Sequence, residues 1–152
     1  MRILVTGGAG YIGSHTAKAL AHAGFEPVVY DNLSEGYRWA VKWGPLVEGS
    51  LSDRSRLQEA LRLHSIEAVI HFAAHAYVGE SMREPRKYFQ NNITDALVLL
   101  DTVLDAGIGT FVFSSSCAVH GLPETLPIVE SDPKLPLSPY GDSKLFLERV
   151  LN

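Results

Sequence analysis

Val5-Thr6-Gly7-Gly8-Ala9-Gly10-Tyr11-Ile12-Gly13-Ser14-His15 lies near the amino end of the chain, and its reading decides the fold. Ahead of it, Ile3-Leu4-Val5 is a short apolar run of strand-forming residues; behind it, Ile12, Ala19, Leu20 and Ala23 recur at helical spacings. The glycines therefore occupy a strand-to-helix turn. Such a turn needs one glycine for its tight bend, one to let the backbone approach a pyrophosphate, and one to let helix and strand pack closely. A phosphate there would rest on the unpaired amides and positive dipole end of the new helix.

A second strand, Pro27-Val28-Val29-Tyr30, follows a helix that should end near Gly24. At its carboxyl end stands Asp31, close to the roughly 20-residue offset from the last glycine at which an acid meets the adenosine ribose hydroxyls. An acid at that point repels a ribose phosphate, so the expected cofactor is NAD rather than NADP. Arg38 lies near in sequence and argues the other way.

The alternation continues. Residues 32–45 read as a loop with some apolar anchoring by Tyr37, Trp39 and Trp43, and Leu46-Val47-Glu48-Gly49 as a third strand. Asp53 is placed to cap a helix through Leu57, Ala60 and Leu61, and Ala68-Val69-Ile70-His71-Phe72 forms a fourth strand. Pro85 suits the first turn of a helix whose apolar stripe runs through Leu97, Leu100, Val103 and Leu104 to Gly107. Phe111-Val112-Phe113 is a fifth strand ending in serines. Residues 121–139, with five prolines, form a long irregular connection, and a last helix begins near Tyr140. This order predicts an α/β fold with a doubly wound parallel sheet of Rossmann type, residues 1–152 forming one dinucleotide-binding domain with its ligand crevice at the strands' carboxyl ends.

Composition narrows the partners. The chain has 152 residues, 46% of them hydrophobic and 20% charged, which suits one ordinary core. A net charge of −4 without a run of Lys or Arg argues against nucleic acid and anionic membrane. A lone cysteine, Cys117, leaves no internal disulfide framework, and Met1-Arg2 leads straight into a strand with no signal-peptide pattern. The expectation is a soluble cytoplasmic protein. Cys117 reads as a small buried residue. His71 and His75 fall across a strand and its exit, so no metal site is expected.

Tyr140-Gly141-Asp142-Ser143-Lys144 places a phenol and an ammonium on one face of a helix. Tyrosine ordinarily ionises near pH 10, and a neighbouring cation favours its anion, which makes the pair a candidate acid/base device. Ser116, at the end of the serine strand, is placed to relay a proton between a substrate and Tyr140.

Together the glycine turn, Asp31-Asn32-Leu33, His71-Phe72-Ala73-Ala74, Val78-Gly79-Glu80-Ser81, Asn91-Asn92, Ser114-Ser115-Ser116 and Ser138-Pro139-Tyr140-Gly141-Asp142-Ser143-Lys144 resemble the extended short-chain dehydrogenase/reductases. The likeness is strongest to the members that epimerise nucleotide sugars, and it spans the chain from Met1 onward. It implies bound NAD, with Gly7, Gly10, Tyr11, Ile12 and Gly13 at the pyrophosphate and Asp31, Asn32, Leu33, Ser34, Glu35 and Gly36 around the adenosine ribose. Ser50 and Leu51 would meet adenine. Phe72, Ala73, Ala74, Asn91 and Ser114 would line the cleft, and Lys144 would hold the nicotinamide ribose. The implied reaction interconverts UDP-glucose and UDP-galactose: Tyr140 takes the proton of the sugar 4-hydroxyl, Ser116 assists, and the 4-keto sugar turns over before it is reduced again, so that NAD is never released.

Two residues depart from the family's pattern. Ser50 stands where an acid usually helps bind adenine, and His120 stands before Gly121 where Tyr is usual. Family members are also about twice as long, which implies that this is an amino-terminal fragment lacking the substrate domain and inactive alone; the full-length protein is expected to be a homodimer. Other nucleotide-sugar epimerases and decarboxylases remain open as alternatives, as does a non-catalytic NAD-binding module. The 4,6-dehydratases are disfavoured because Ser116-Cys117-Ala118 stands where they carry Thr-Asp-Glu.

Overall fold

A computed structural model describes residues 1–152. The chain divides into two compact units, one made of residues 1–73 and 95–114, the other of residues 74–94 and 115–152.

The first unit contains the sheet. Its strands are β1 (Arg2–Thr6), β2 (Glu26–Asp31), β3 (Leu46–Glu48), β4 (Ala68–His71) and β5 (Phe111–Phe113), all parallel, in the order β3-β2-β1-β4-β5. The central strands read as unbroken apolar runs because both faces are covered. On one face Leu4, Val28, Tyr30 and Val69 pack with Leu57, Ala60 and Leu61 of α2 (Arg54–Leu63) and with Leu99 and Val103 of α5 (Ala96–Asp105). On the other, Ile3, Val5 and Ala68 pack with Leu20 of α1 (Tyr11–His22). The sheet is thus doubly wound, as expected from the alternation.

Local signals act where the sequence places them. Asp53 accepts a hydrogen bond from the Arg56 amide at 3.0 Å and so caps α2. Gly24 follows α1 in the left-handed region (φ +83) and Gly107 follows α5 likewise (φ +72). Trp39 and Tyr37 stack on each other but remain largely exposed; the anchoring of the 32–45 loop comes instead from Trp43, edge-on to His22 at 4.9 Å.

In the second unit, α3 (Val78–Arg83), α4 (Pro85–Phe89) and α6 (Pro139–Leu151) pack together, and a 3₁₀ turn over Cys117–His120 packs against α6. Where one helix is expected from Pro85 to Gly107, α4 gives way to a π-helical turn over Gln90–Asp95 before α5 begins. That polar stretch of Asn, Thr and Asp has little helix preference, and its widened turn buries Asn92. The segment α3 carries no periodic signal in the sequence.

Cys117 is exposed, not buried. Ser116 is extended (φ −158, ψ 147) and its hydroxyl caps the following 3₁₀ turn, in which Val119 is the inward-facing residue and Cys117 is turned outward. No helix is long and apolar enough to cross a membrane.

Candidate functional site

In the first unit, the glycine turn is built by close approach. Gly7 has φ +70, donates its amide to the Tyr30 carbonyl at 2.9 Å, and passes so near the chain after β4 that a Cβ on it would lie 2.6 Å from the Ala73 nitrogen. A Cβ on Gly13 would lie 2.3 Å from the Gly7 carbonyl oxygen. Both positions accept only hydrogen. Gly10 begins α1 with no side-chain acceptor, and the first turn of α1 carries no acid. Its amides therefore keep their capacity for an external anion. Tyr11 (82% exposed) and Ile12 (59%) leave apolar surface beside those amides.

Asp31 is buried, and each carboxylate oxygen has a backbone partner: Oδ2 accepts from Ala9 N at 2.9 Å, and Oδ1 accepts from Leu33 N at 2.8 Å. The acid at the end of β2 is thereby tied to the glycine turn. Asn32 Oδ1 accepts from the Ser34 amide and hydroxyl, bending the chain so that Leu33 takes φ +58. Gly36 faces Ala9 so closely that a Cβ would lie 2.8 Å from the Ala9 Cβ, and Tyr37 N donates to Ala9 O at 3.0 Å. Residues 31–37 thus wrap the glycine turn; among them Asn32, Ser34 and Glu35 are exposed.

Ser50 bonds to Ser52 through their hydroxyls at 2.8 Å, and its carbonyl accepts from Tyr30 OH. Burial and the Asp53 carboxylate push the Tyr30 phenol up to about 12, against a smaller opposing pull from Arg56. The Leu51 side chain belongs to the core, so any ligand contact would come from its backbone. Phe72 and Ala73 are half-buried beside β1, where Phe72 N donates to Thr6 O at 3.0 Å. Ser114 N continues the β4–β5 ladder to His71 O. His71 itself is buried and shares a 2.6 Å hydrogen bond between Nδ1 and Thr6 Oγ1.

The second unit holds Ala74, Asn91, Ser116, Tyr140 and Lys144. Ser138 caps α6, its hydroxyl accepting from Gly141 N at 3.1 Å, with Pro139 in the first turn. Gly141 lets that turn abut the 3₁₀ turn after Ser116: a Cβ would lie 2.7 Å from Ala118 O and 2.9 Å from the Pro136 Cβ. The chain carrying Ser116 is thereby held against the helix carrying Tyr140. Lys144 is 4% exposed, its Nζ lies 5.9 Å from the centre of the Tyr140 ring, and burial lowers it to about 8. It is still mostly protonated at neutral pH.

Three supports of this site carry no role in the sequence reading: Asn92 and Ser143 stand there only inside motifs, and Glu148 does not stand there at all. Asn92 is buried; its Oδ1 accepts from His75 N and Asn91 Nδ2, and its Nδ2 donates to His75 O and Ser143 Oγ. Ser143 Oγ in turn donates to Tyr140 O at 2.7 Å. Glu148 accepts from the Ser115 hydroxyl and pairs with Lys134 at 2.5 Å. Burial would raise Glu148, but Lys134 and Ser115 outweigh it and hold the carboxyl below its ordinary range. His120 Nδ1 lies 3.2 Å from Pro133 O, a second tie to the proline-rich connection.

A doubly wound sheet whose first turn is a glycine cradle answered by an acid at the end of β2 defines a dinucleotide-binding α/β protein. The chain belongs to the NAD dependent epimerase/dehydratase family, whose profile matches residues 3–152. It is 52% identical over 149 residues to the UDP-glucose 4-epimerase of Rhizobium meliloti (strain 1021), covering 98% of this chain and 45% of that protein. It superposes at TM-score 0.96 and 51% identity on UDP-glucose 4-epimerase from Brucella ovis in complex with NAD, covering 99% of this chain and 46% of that one. With UDP-glucose 4-epimerase from Thermotoga maritima, solved with UDP-glucose, the TM-score is 0.93 at 38% identity, over 99% of this chain and 50% of that one. The chain spans about half the length of the relatives it matches.

Proposed function

We propose that the protein interconverts UDP-glucose and UDP-galactose by transient oxidation at C4 of the sugar with tightly held NAD, residues 1–152 serving as the NAD-binding domain. The observation that carries the reading is the buried Lys144 ammonium beside the Tyr140 ring, in a chain that also carries the glycine cradle and Asp31. The cradle fits a dinucleotide because Gly7 and Gly13 have no room for a side chain and the first amides of α1 have no side-chain acceptor.

In this reading Gly7, Gly10, Tyr11, Ile12 and Gly13 hold the pyrophosphate. Residues 31–36 hold the adenosine ribose, and Ser50 and Leu51 meet adenine. Phe72, Ala73, Ala74, Asn91 and Ser114 line the cleft, and Tyr140 and Lys144 reach the nicotinamide ribose. NAD supplies the electron sink for oxidation at C4 and returns the same electrons afterwards. Tyr140 accepts the 4-hydroxyl proton as the C4–H bond breaks and gives it back when that bond reforms on the other face. Lys144 favours the phenolate form from which Tyr140 takes that proton and to which it returns, and Ser116 hydrogen-bonds the same oxygen of the sugar and passes the proton. The 4-keto sugar turns over between the two half-reactions, so the net redox change is zero.

The same reading makes the protein a cytoplasmic enzyme of galactose metabolism, homodimeric at full length, with a UDP-sugar as partner and neither nucleic acid nor membrane. Its support is the net charge of −4 and the relatives' named activity. Identifying the ligand released from the denatured protein tests the cofactor: NAD is expected, and NADP alone overturns the assignment. In an active chain of the relatives' full length carrying these residues, Tyr140→Phe is expected to slow epimerisation at least about 100-fold. An unchanged rate removes Tyr140 from the chemistry.

A further inference from the structure

Arg38 raises a question that Asp31 alone does not answer, since an arginine after the second strand is the residue type that accommodates a 2′-phosphate. It is tethered within reach of the ribose-side loop: its neighbour Tyr37 donates its amide to Ala9 O, and Ala9 donates its own to Asp31 Oδ2. Its guanidinium, however, is engaged by the carboxylate of Glu48. Glu48 is the in-register partner of Asp31 on the neighbouring strand, and Gly49 N donates to Asp31 O at 3.1 Å. In-register residues of neighbouring parallel strands project to the same face, so two acids stand side by side at the carboxyl ends of β2 and β3.

The side chains of this ion pair are 66% and 52% exposed. A pair so exposed contributes little to folding, so its effect lies in where it holds the cation. We propose that Glu48 is a specificity-determining residue for the cofactor: by engaging Arg38 and adding a second negative charge beside Asp31, it withholds a cation that would otherwise neutralise a 2′-phosphate, and so enforces NAD over NADP; Arg56, the other cation at this edge, donates to the Glu48 carbonyl at 3.4 Å and pairs with Glu59. This rests on the dinucleotide-binding reading above. Asp31 supplies repulsion at the ribose; Glu48 keeps that repulsion from being cancelled by Arg38. The logic is that of specificity built against the wrong ligand as well as for the right one.

The test is calorimetric titration of the dinucleotide-free chain with NAD and, separately, NADP, in the parent, in Glu48→Ala, and in Glu48→Ala combined with Arg38→Ala, with thermal melts as a folding control. Both side chains are exposed and the fold should not change. Freeing Arg38 is expected to tighten NADP binding roughly tenfold at low salt, with NAD altered about twofold or less, and raised salt should erode the gain. The double variant should lose it. If the parent binds NAD but Glu48→Ala leaves the NADP-to-NAD ratio unchanged, or the double variant keeps the gain, the role of Glu48 is overturned while the cofactor reading stands. If the parent binds neither dinucleotide, both are overturned.

Discussion

The Lys144 ammonium lies 5.9 Å from the centre of the Tyr140 ring, in a position that leaves the lysine only 4% exposed. The helical spacing of the two residues brings them to one face, but burial is what gives the charge its force. A cation in a dry setting acts on a neighbouring phenol far more strongly than one in water. The same dryness costs the folded chain energy, because burial opposes the charged form of the lysine.

That cost makes the stability of the free chain depend on pH in a definite direction. Lys144 is lowered from 10.5 to about 8 by burial, so between about pH 8 and 10.5 the unfolded chain binds the proton that the folded chain has released. Stability should rise through that window by an amount on the order of 3 kcal/mol from this group. Other groups titrate there too, so the measurement is the difference between the parent and Lys144→Met in urea unfolding at pH 7 and pH 10. The variant should be the more stable at pH 7 and lose that advantage by pH 10. Parallel pH dependences in the two proteins would contradict the burial cost.

Asp31 has a structural task separate from any ligand. Both oxygens accept backbone amides, from Ala9 and Leu33, in a buried setting. Removing the carboxylate in Asp31→Ala strands both donors, which should cost roughly 2 to 4 kcal/mol in urea unfolding. Asp31→Asn keeps an acceptor for one amide and should lose about half as much. Equal stability of parent and Asp31→Ala would show that water replaces the carboxylate.

The parts of the fold that were legible in the sequence are those set by neighbours in the chain. The glycine turn, the Asp53 cap, the Ser138-Pro139 start of α6 and the closing glycines at 24 and 107 all act within a turn or two of themselves. What was not legible depends on partners far along the chain. Asn92 reads as one polar residue among several until His75 and Ser143 are seen on either side of it. Cys117 reads as buried by residue type; the extended Ser116 before it decides otherwise. The sequence shows Asp31 as the acid at the end of β2, but its bond to Ala9 depends on the β1–β2 pairing.

Asn92 is expected to matter to the fold more than its neighbour Asn91. Its side chain is buried and meets His75 N, His75 O and Ser143 Oγ, whereas half-buried Asn91 donates only to Asn92. Asn92→Ala should destabilise the chain by roughly 2 to 4 kcal/mol and Asn91→Ala by less than about 1. Urea midpoints of the two variants, compared at equal slope, decide the order; a reversed order would mean that the Asn92 hub is not what holds α6 to the loop after β4.

Gly141 sets two effects of opposite sign against each other. Inside a helix, glycine to alanine normally gains about 1 kcal/mol from propensity. Here the new Cβ would lie 2.7 Å from the Ala118 carbonyl and 2.9 Å from the Pro136 Cβ. The carbonyl is backbone in a tight 3₁₀ turn and the proline ring is stiff, so neither obstacle can rotate away, and overpacking of this kind costs roughly 1 to 3 kcal/mol. The overlap should win: Gly141→Ala is expected to lower stability by about 1 kcal/mol net, with a larger effect on any activity that needs Ser116 and Tyr140 held together. Asp142→Ala one position on, exposed and free of such contacts, trades a favourable charge in the first turn of α6 for helix propensity and serves as the near-neutral control. A variant at 141 as stable as this control would show that the two turns separate at little cost, and the close approach would then have no part in positioning Tyr140.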